Sequence, residues 1–182
     1  MGVLAQRQAV GVIRLLKDPR PAVRAKAAFA CGALGDQVAA SEVAVLLGDT
    51  ASQVRDAAVR AIARLDREGE HVGKVAERLL DTAPSVRVAA CAALADMGES
   101  AQYFASLVAQ RLSADREPLE VRAAAARALG GMGERGAVHK DTLQKLLEDP
   151  SPLVRQAAED SLRRLGGPGV AALAAIEQGE GE

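Results

Sequence analysis

Apolar residues recur along the chain with the spacing of an amphipathic helix, and the same pattern returns at a nearly constant interval. Five Val-Arg dipeptides mark it: Val23-Arg24, Val54-Arg55, Val86-Arg87, Val121-Arg122 and Val154-Arg155. Counted from each arginine, the valine at −1 and mostly apolar residues at +3, +6, +7 and +10 form one helical stripe. Successive arginines are 31, 32, 35 and 33 residues apart, which is typical of stacked repeats that share a core with their neighbours.

Each Val-Arg helix carries signals for its start and its end. Prolines stand near the first turn of four helices, where the missing N–H is tolerated: Pro21, Pro84, Pro118 and Pro152. A glycine follows the last turn in four repeats, as expected for a left-handed terminating residue: Gly35, Gly98, Gly133 and Gly166. In the second repeat Asp66 takes the place of this glycine.

A second apolar stripe precedes each Val-Arg helix, as at Val43, Leu46 and Leu47. Each repeat is therefore predicted to be a helical hairpin. We predict an all-α protein, an α-solenoid of about five stacked helical hairpins plus a terminal half-repeat, forming a single array over 1–176. The expected repeats cover 3–35, 37–66, 70–98, 101–133 and 137–166, followed by the half-repeat at 168–176 and a flexible tail at 177–182.

The repeated pattern Asp-x-x-Pro-x-Val-Arg-x-x-Ala-x-x-Ala-Leu-x-x-Leu-Gly resembles the short HEAT-like repeat of the phycobilisome-lyase type. The match is clearest over 18–24, 81–87 and 149–155, and the resemblance covers about residues 3–176. It implies a right-handed superhelix of hairpins. Proteins of this broad family include scaffolds, bilin lyases, a di-iron hydroxylase acting on deoxyhypusine and alkylpurine DNA glycosylases, so the resemblance leaves the function open.

An aspartate precedes each repeated arginine by six or seven residues, in the turn between the two helices. We expect its carboxylate to accept hydrogen bonds from backbone N–H groups at the start of the following helix. Stacking in register would then align ten charges in an alternating ladder: Asp18, Arg24, Asp49, Arg55, Asp81, Arg87, Asp115, Arg122, Asp149 and Arg155. The alternative is a row of arginines that contacts phosphates.

Positions +1, +5 and +8 are expected to face outward along the inner side of the array. They are mostly small residues, including Gly32, Ala123 and Gly130, with arginines and one phenylalanine among them. Arginine and aromatic side chains are enriched where proteins bind one another. The candidate partner-binding residues are Phe29, Arg60, Val88, Ala92, Arg127 and Arg163. The alternative is that the alanines here reflect only helix propensity and tight curvature.

The composition disfavours several classes of function. Lys plus Arg number 23 and Asp plus Glu 24, which gives a formal net charge of −1, and this balance of charge disfavours general nucleic-acid binding.

Phe104 continues an apolar stripe and is expected in the core, whereas Tyr103 is expected at the edge of that stripe. No apolar run is long enough to span a bilayer. Cys31 and Cys91 fall at apolar positions and predict buried thiols in a reducing compartment, hence an intracellular protein, cytoplasmic or organellar.

The residues offer no set of catalytic, cofactor-binding or metal-binding groups. The hydroxylase uses repeated His-Glu pairs as iron ligands, but neither His71 nor His139 is followed by glutamate. The leading hypothesis is a non-enzymatic interaction scaffold, or an accessory subunit of a larger assembly, that binds one or more proteins. The first alternative is a bilin-lyase-type protein that handles a chromophore, and a weaker one is a nucleic-acid-binding solenoid.

Overall fold

The computed structural model describes residues 10–35, 37–112 and 117–166, and these residues form helices, turns and no strand. The predicted all-α solenoid class is confirmed, because helical hairpins stack side by side in the described parts of the chain. None of the described helices combines the length and apolar character needed to cross a membrane. The predicted half-repeat at 168–176 and tail at 177–182 lie outside the described residues.

The second helix of each hairpin is the longer one, and it begins three residues before the Val-Arg arginine. These helices are α2 (Pro21–Leu34), α4 (Ser52–Leu65), α6 (Pro84–Asp96), α8 (Leu119–Gly131) and α11 (Pro152–Arg164). Three of them start on the proline that the sequence places in the first turn. Proline fits there because its fixed φ is that of a helix and its missing N–H would have no partner.

The first helix of each hairpin is short and tightens at its end. These helices are α1 (10–15), α3 (Ala40–Val45), α5 (Val72–Glu77), α7 (Ala105–Ala109) and α10 (Lys140–Lys145), and α9 (Gly133–Ala137) connects the last two hairpins. The helices α3, α5, α7 and α10 each continue into one 3₁₀ turn: Leu46–Gly48, Arg78–Leu80, Gln110–Leu112 and Leu146–Glu148. The tighter turn lets the chain leave the helix at the aspartate that opens the loop.

The chain divides into two compact units, Met1–Met97 and Gly98–Glu182. In the first unit α2 packs against α4, and α4 packs against α6. In the second unit α8 packs against α11. Second helices therefore pack on one another within each unit, and the first helices cover them from one side.

Alanine at +3 allows these second helices to approach closely. This position is at most 2% exposed in all five repeats: Ala27, Ala58, Ala90, Ala125 and Ala158.

The +6 position is alanine in four repeats and serine in the fifth. Ser161 replaces alanine at +6, and its Oγ lies 2.8 Å from the carbonyl oxygen of Ala126 and 2.6 Å from that of Ala157. The buried hydroxyl is therefore hydrogen-bonded, as a buried polar group must be.

The second helices end as their sequence signals predict. Gly35 terminates α2 with a φ of 67°, a left-handed conformation, and its N–H donates to the carbonyl of Cys31. Asp66 ends α4 in a different way. Its carboxylate accepts hydrogen bonds from the backbone N–H groups of Glu70 at 3.0 Å and His71 at 2.7 Å, so it organises the loop that a glycine organises elsewhere.

Candidate functional site

The turn between the two helices of each hairpin carries the aspartate, and ion pairs join the hairpins of the first unit at this edge. Arg24 donates from Nε and Nη2 to the carboxylate of Asp49, at 2.7 and 2.9 Å. Arg55 donates in the same way to Asp81, at 2.7 Å for both bonds. Each arginine thus binds the carboxylate of the next repeat, not the one in its own repeat. This bidentate geometry is typical of strong Arg–carboxylate pairs.

Each arginine also holds the turn of its own repeat. The Nη1 of Arg55 donates to the main-chain carbonyl of Asp49 at 2.9 Å, and the Nη1 of Arg87 donates to that of Asp81 at 2.6 Å. The Asp49 carboxylate in turn accepts the backbone N–H of Ala51 at 2.9 Å. A single arginine therefore fixes two turns at once, one through a carbonyl and one through a carboxylate.

The second unit has a corresponding link between repeats, but not the bidentate geometry. Arg122 donates from Nη1 to the carboxylate of Asp149, and its buried Nε has no hydrogen-bond partner among the described residues. The Nη1 of Arg155 donates to the carbonyl oxygen of Asp149 at 2.7 Å. Asp115 lies outside the described residues. Asp18, in the first repeat, pairs with the exposed Arg20 instead, at 2.9 and 3.0 Å.

In the first unit the carboxylates of Asp49 and Asp81 are screened from solvent and held ionised. The side chain of Asp81 is 3% exposed and that of Asp49 8%. The hydrogen bonds from Arg24 lower the pKa of Asp49, against the opposing effect of burial. Burial by itself would raise the pKa of Asp81, but the hydrogen bonds from Arg55 and from the N–H of Ala83 outweigh it, so this pKa is lowered too. The donors of Arg24 and Arg55 are occupied by protein groups, which disfavours a phosphate-contacting role.

The candidate partner-binding residues lie on the open side of the second helices. In the first unit Phe29 is 62% exposed, Arg60 and Ala92 are exposed, and Val88 is half-buried. Arg60 pairs with Asp56 one turn earlier on α4, with Nε 2.8 Å from the carboxylate. This exposed side of α2, α4 and α6 in the first unit is termed the second-helix face.

In the second unit the two candidate arginines are also exposed. Arg127 lies on α8 and Arg163 on α11. Arg163 pairs with Glu159 and lies 3.5 Å from Asp160, both on its own helix. Each of these arginines therefore presents its charge at the surface of the unit.

Three residues expected on the open side are buried, and the prediction was wrong for them. Ala123 is 0% exposed, and Gly32 and Gly130 are buried as well. A Cβ added to Gly32 would stand 2.9 Å from the Cα of Ala61, and one added to Gly130 would stand 2.8 Å from the Cα of Ser161. Gly32 and Gly130 therefore lie between neighbouring second helices, and glycine is needed at both because the two backbones nearly touch, whereas Arg163 at the same +8 position is exposed.

The remaining candidate groups have structural surroundings. Tyr103 is 73% exposed, and the guanidinium of Arg135 lies over its ring at 5.1 Å from the centroid. Phe104, expected in the core, is half-buried. Cys31 and Cys91 are buried, as expected. Within the described ranges, no three His, Cys, Asp or Glu side chains come together as a metal site.

Comparison with known families identifies the repeat. The family described as HEAT repeats matches residues 9–71 and 105–178, well over half of the chain. A second family, described as a HEAT repeat associated with sister chromatid cohesion, matches residues 74–90. No curated protein sequence matches the chain significantly.

Solved structures of repeat proteins share the fold. The complex of CpcE and CpcF of phycocyanin lyase from Nostoc sp. PCC7120 aligns with a TM-score of 0.75 at 21% identity, covering 89% of this chain and 66% of that chain. An engineered protein aligns with a TM-score of 0.69 at 19% identity, covering 93% and 86%. A designed armadillo repeat protein in complex with the peptide (KR)4 aligns with a TM-score of 0.64 at 20% identity, covering 85% and 80%. At these identities the likeness is one of fold.

Proposed function

The chain belongs to the HEAT repeat family, and from that premise we propose that it is a non-catalytic scaffold or accessory subunit that binds one or more partner proteins. The HEAT fold is suited to this role because stacked hairpins present an extended surface without needing an active-site cavity. We also propose a reducing, intracellular compartment, because Cys31 and Cys91 are buried at apolar helix positions and two such cysteines do not form a disulfide framework.

The observation that carries the proposal is a difference between the turn edge of the second helices and the second-helix face. At the turn edge, arginines such as Arg24 and Arg55 are bound to carboxylates and carbonyls of the protein itself. On the second-helix face, Phe29 of α2 is exposed, and the short side chain of Ala92 is exposed on α6, two second helices further along the unit. An aromatic anchor among small residues favours close approach by another chain.

The test compares two charge changes in the third repeat. Ala92→Glu places a carboxylate on the second-helix face, and Glu77→Arg changes a charge on the first helix, where Glu77 has a side chain 67% exposed. Partners that co-purify with the wild type from its native source are expected to be lost with Ala92→Glu and kept with Glu77→Arg. Equal melting temperatures of the two variants would show that the difference is one of binding.

Two results would contradict the proposal. Loss of the partner with Glu77→Arg and its retention with Ala92→Glu would move the binding surface to the first helices. Covalent attachment of a bilin to an acceptor phycobiliprotein, catalysed by the purified chain, would show an enzyme.

A further inference from the structure

An apolar groove lies open between α1 and α2 in the first unit. It has a volume of about 720 Å³ and is lined mainly by Val12, Leu15, Phe29, Ala33 and Leu34. Phe29 is 62% exposed, and Leu15 and Leu34 are each 45% exposed. This surface is termed the first-hairpin groove. Three large apolar side chains exposed side by side mark a binding surface more strongly than scattered ones do.

The two sides of α2 differ in how they are covered. On one side, Ala28 is 0% exposed and Gly32 lies against Ala61 of α4. On the groove side, Phe29 and Leu34 have no second helix packed on them within the described part of the chain. The α4 side of α2 is therefore covered, whereas the groove side leaves these large apolar side chains open to solvent.

Basic residues flank the groove. Lys26 precedes Phe29 by three residues, and Arg14 follows Gly11, a lining residue, by three, so each lies one turn from the groove on its own helix. Both are exposed, and no carboxylate of the described residues pairs with them. Asp18 is the single acidic residue among residues 10–35, and its carboxylate already binds Arg20. The rim of the groove is thus positive, although the whole chain has a net charge of −1.

We propose that the first-hairpin groove binds an amphipathic helix of a partner protein, one whose apolar side is flanked by glutamate or aspartate. This rests on the proposed scaffold function and names the chemistry of the partner. The apolar side would cover Phe29 and Leu34, and the flanking carboxylates would meet Arg14 and Lys26. A helix laid in a groove between two helices is a common form of peptide recognition. A second copy docking through the same groove would place like charges opposite one another, which disfavours that occupant.

Two synthetic four-turn peptides test the proposal on the full chain. Both have leucines at i, i+3, i+4 and i+7, and the other positions are mainly glutamate in one peptide and lysine in the other. The acidic peptide is expected to bind with a Kd on the order of 10 μM, and the basic peptide at least about tenfold more weakly. Raising the salt concentration should weaken the binding of the acidic peptide, because its contacts with the rim are made by exposed charges.

Matched variants locate the binding. Phe29→Ala should raise the Kd of the acidic peptide about tenfold, because it removes the central anchor. Leu80→Ala removes an apolar side chain that is 69% exposed and outside the groove, and it should leave binding unchanged. Lys26→Glu should reduce the preference for the acidic peptide. Circular dichroism melts of all three variants check that each remains folded.

Three outcomes would overturn the proposal. The first is no binding of the acidic peptide up to about 1 mM. The second is equal binding of both peptides. The third is concentration-dependent self-association in sedimentation that Phe29→Ala removes, which would make a second copy the occupant. Partner loss with Ala92→Glu tests the scaffold function separately, so the groove can fail while that function stands.

Discussion

Helix α4 carries two Arg–Asp ion pairs of nearly the same length in two different surroundings. Arg55 lies 2.7 Å from Asp81, and Arg60 lies 2.8 Å from Asp56. The side chains of the first pair are 12% and 3% exposed, and those of the second are 52% and 24% exposed. The first pair joins two repeats, whereas the second joins two turns of one helix.

The difference shows that burial and further hydrogen bonds, not ion-pair length, decide what each arginine does. Arg55 also donates to the carbonyl oxygens of Asp49 and Thr50, so its removal would take a hydrogen bond from three groups at once. Among the described residues Arg60 bonds only to Asp56, and exposed pairs of this kind contribute little to stability in water. The arginines of the turn edge therefore stabilise the fold, whereas the exposed charge of Arg60 on the second-helix face is available to a partner.

The largest expected effect comes from cutting the buried pair. Arg55→Ala should lower the free energy of unfolding by about 2–4 kcal/mol, because it leaves the carboxylate of Asp81 buried without its counter-ion. Denaturant unfolding measures this, with the slope in denaturant checked for constancy. A decrease in the free energy of unfolding of less than about 0.5 kcal/mol would show that the buried and the exposed pair of α4 contribute equally to stability, contrary to the difference described above.

The contact between second helices gives the next largest effect. Gly32→Ala should cost about 1–3 kcal/mol, because the added Cβ would stand 2.9 Å from the Cα of Ala61. Gly48→Ala is the matched control, since a Cβ there meets nothing within 4 Å. Thermal melts of both variants are the measurement. Equal melting temperatures would mean that the +8 position of α2 is open, as the sequence alone suggested.

Acid unfolding probes the ladder carboxylates. The folded-state pKa of Asp49 is lowered, chiefly by hydrogen bonds from Arg24, so the unfolded state takes up a proton at a higher pH than the folded state. Stability from this group is present above its unfolded pKa of about 3.9 and is lost as the pH falls through the folded pKa. Asp49→Asn should therefore flatten the dependence of the unfolding free energy on pH below about pH 4. An unchanged dependence would show that the pair does not stabilise the ionised form.

The smallest effect belongs to the exposed pair. Arg60→Ala should change the free energy of unfolding by less than about 0.5 kcal/mol, as expected for an exposed pair one helical turn apart. The same denaturant experiment that measures Arg55→Ala measures it. A cost comparable to that of Arg55→Ala would show that Arg60 holds the fold and is not available to a partner.

Much of the hairpin could be predicted from the sequence because the signals are local. The Val-Arg stripe, Pro21 and Gly35 set the limits of α2 through contacts within a few residues. The alanine at +3 was expected to be buried and is buried in all five repeats. These features depend on helix geometry, which a period in the sequence reports directly.

Features that depend on how one repeat sits on the next could not be predicted. The sequence predicted a ladder of alternating charges but not its pairing. Arg55 follows Asp49 by six residues, and the carboxylate that it binds is that of Asp81, 26 residues after Arg55. The burial of Gly32 likewise follows from the distance between two helix backbones. The exposure of the first-hairpin groove depends on what packs on α2, and nothing in the period of the repeat distinguishes that face.

The offset of the ladder makes each ion pair of the first unit the shared property of two repeats. Because Arg24 binds Asp49 and Arg55 binds Asp81, losing either side chain of a pair releases the other in the neighbouring repeat. In a chain of units coupled to nearest neighbours, such a link couples the local opening of one repeat to that of the next in both directions. Amide hydrogen exchange would register this as protection lost in both repeats that share an altered pair, so a single substitution is expected to loosen two hairpins.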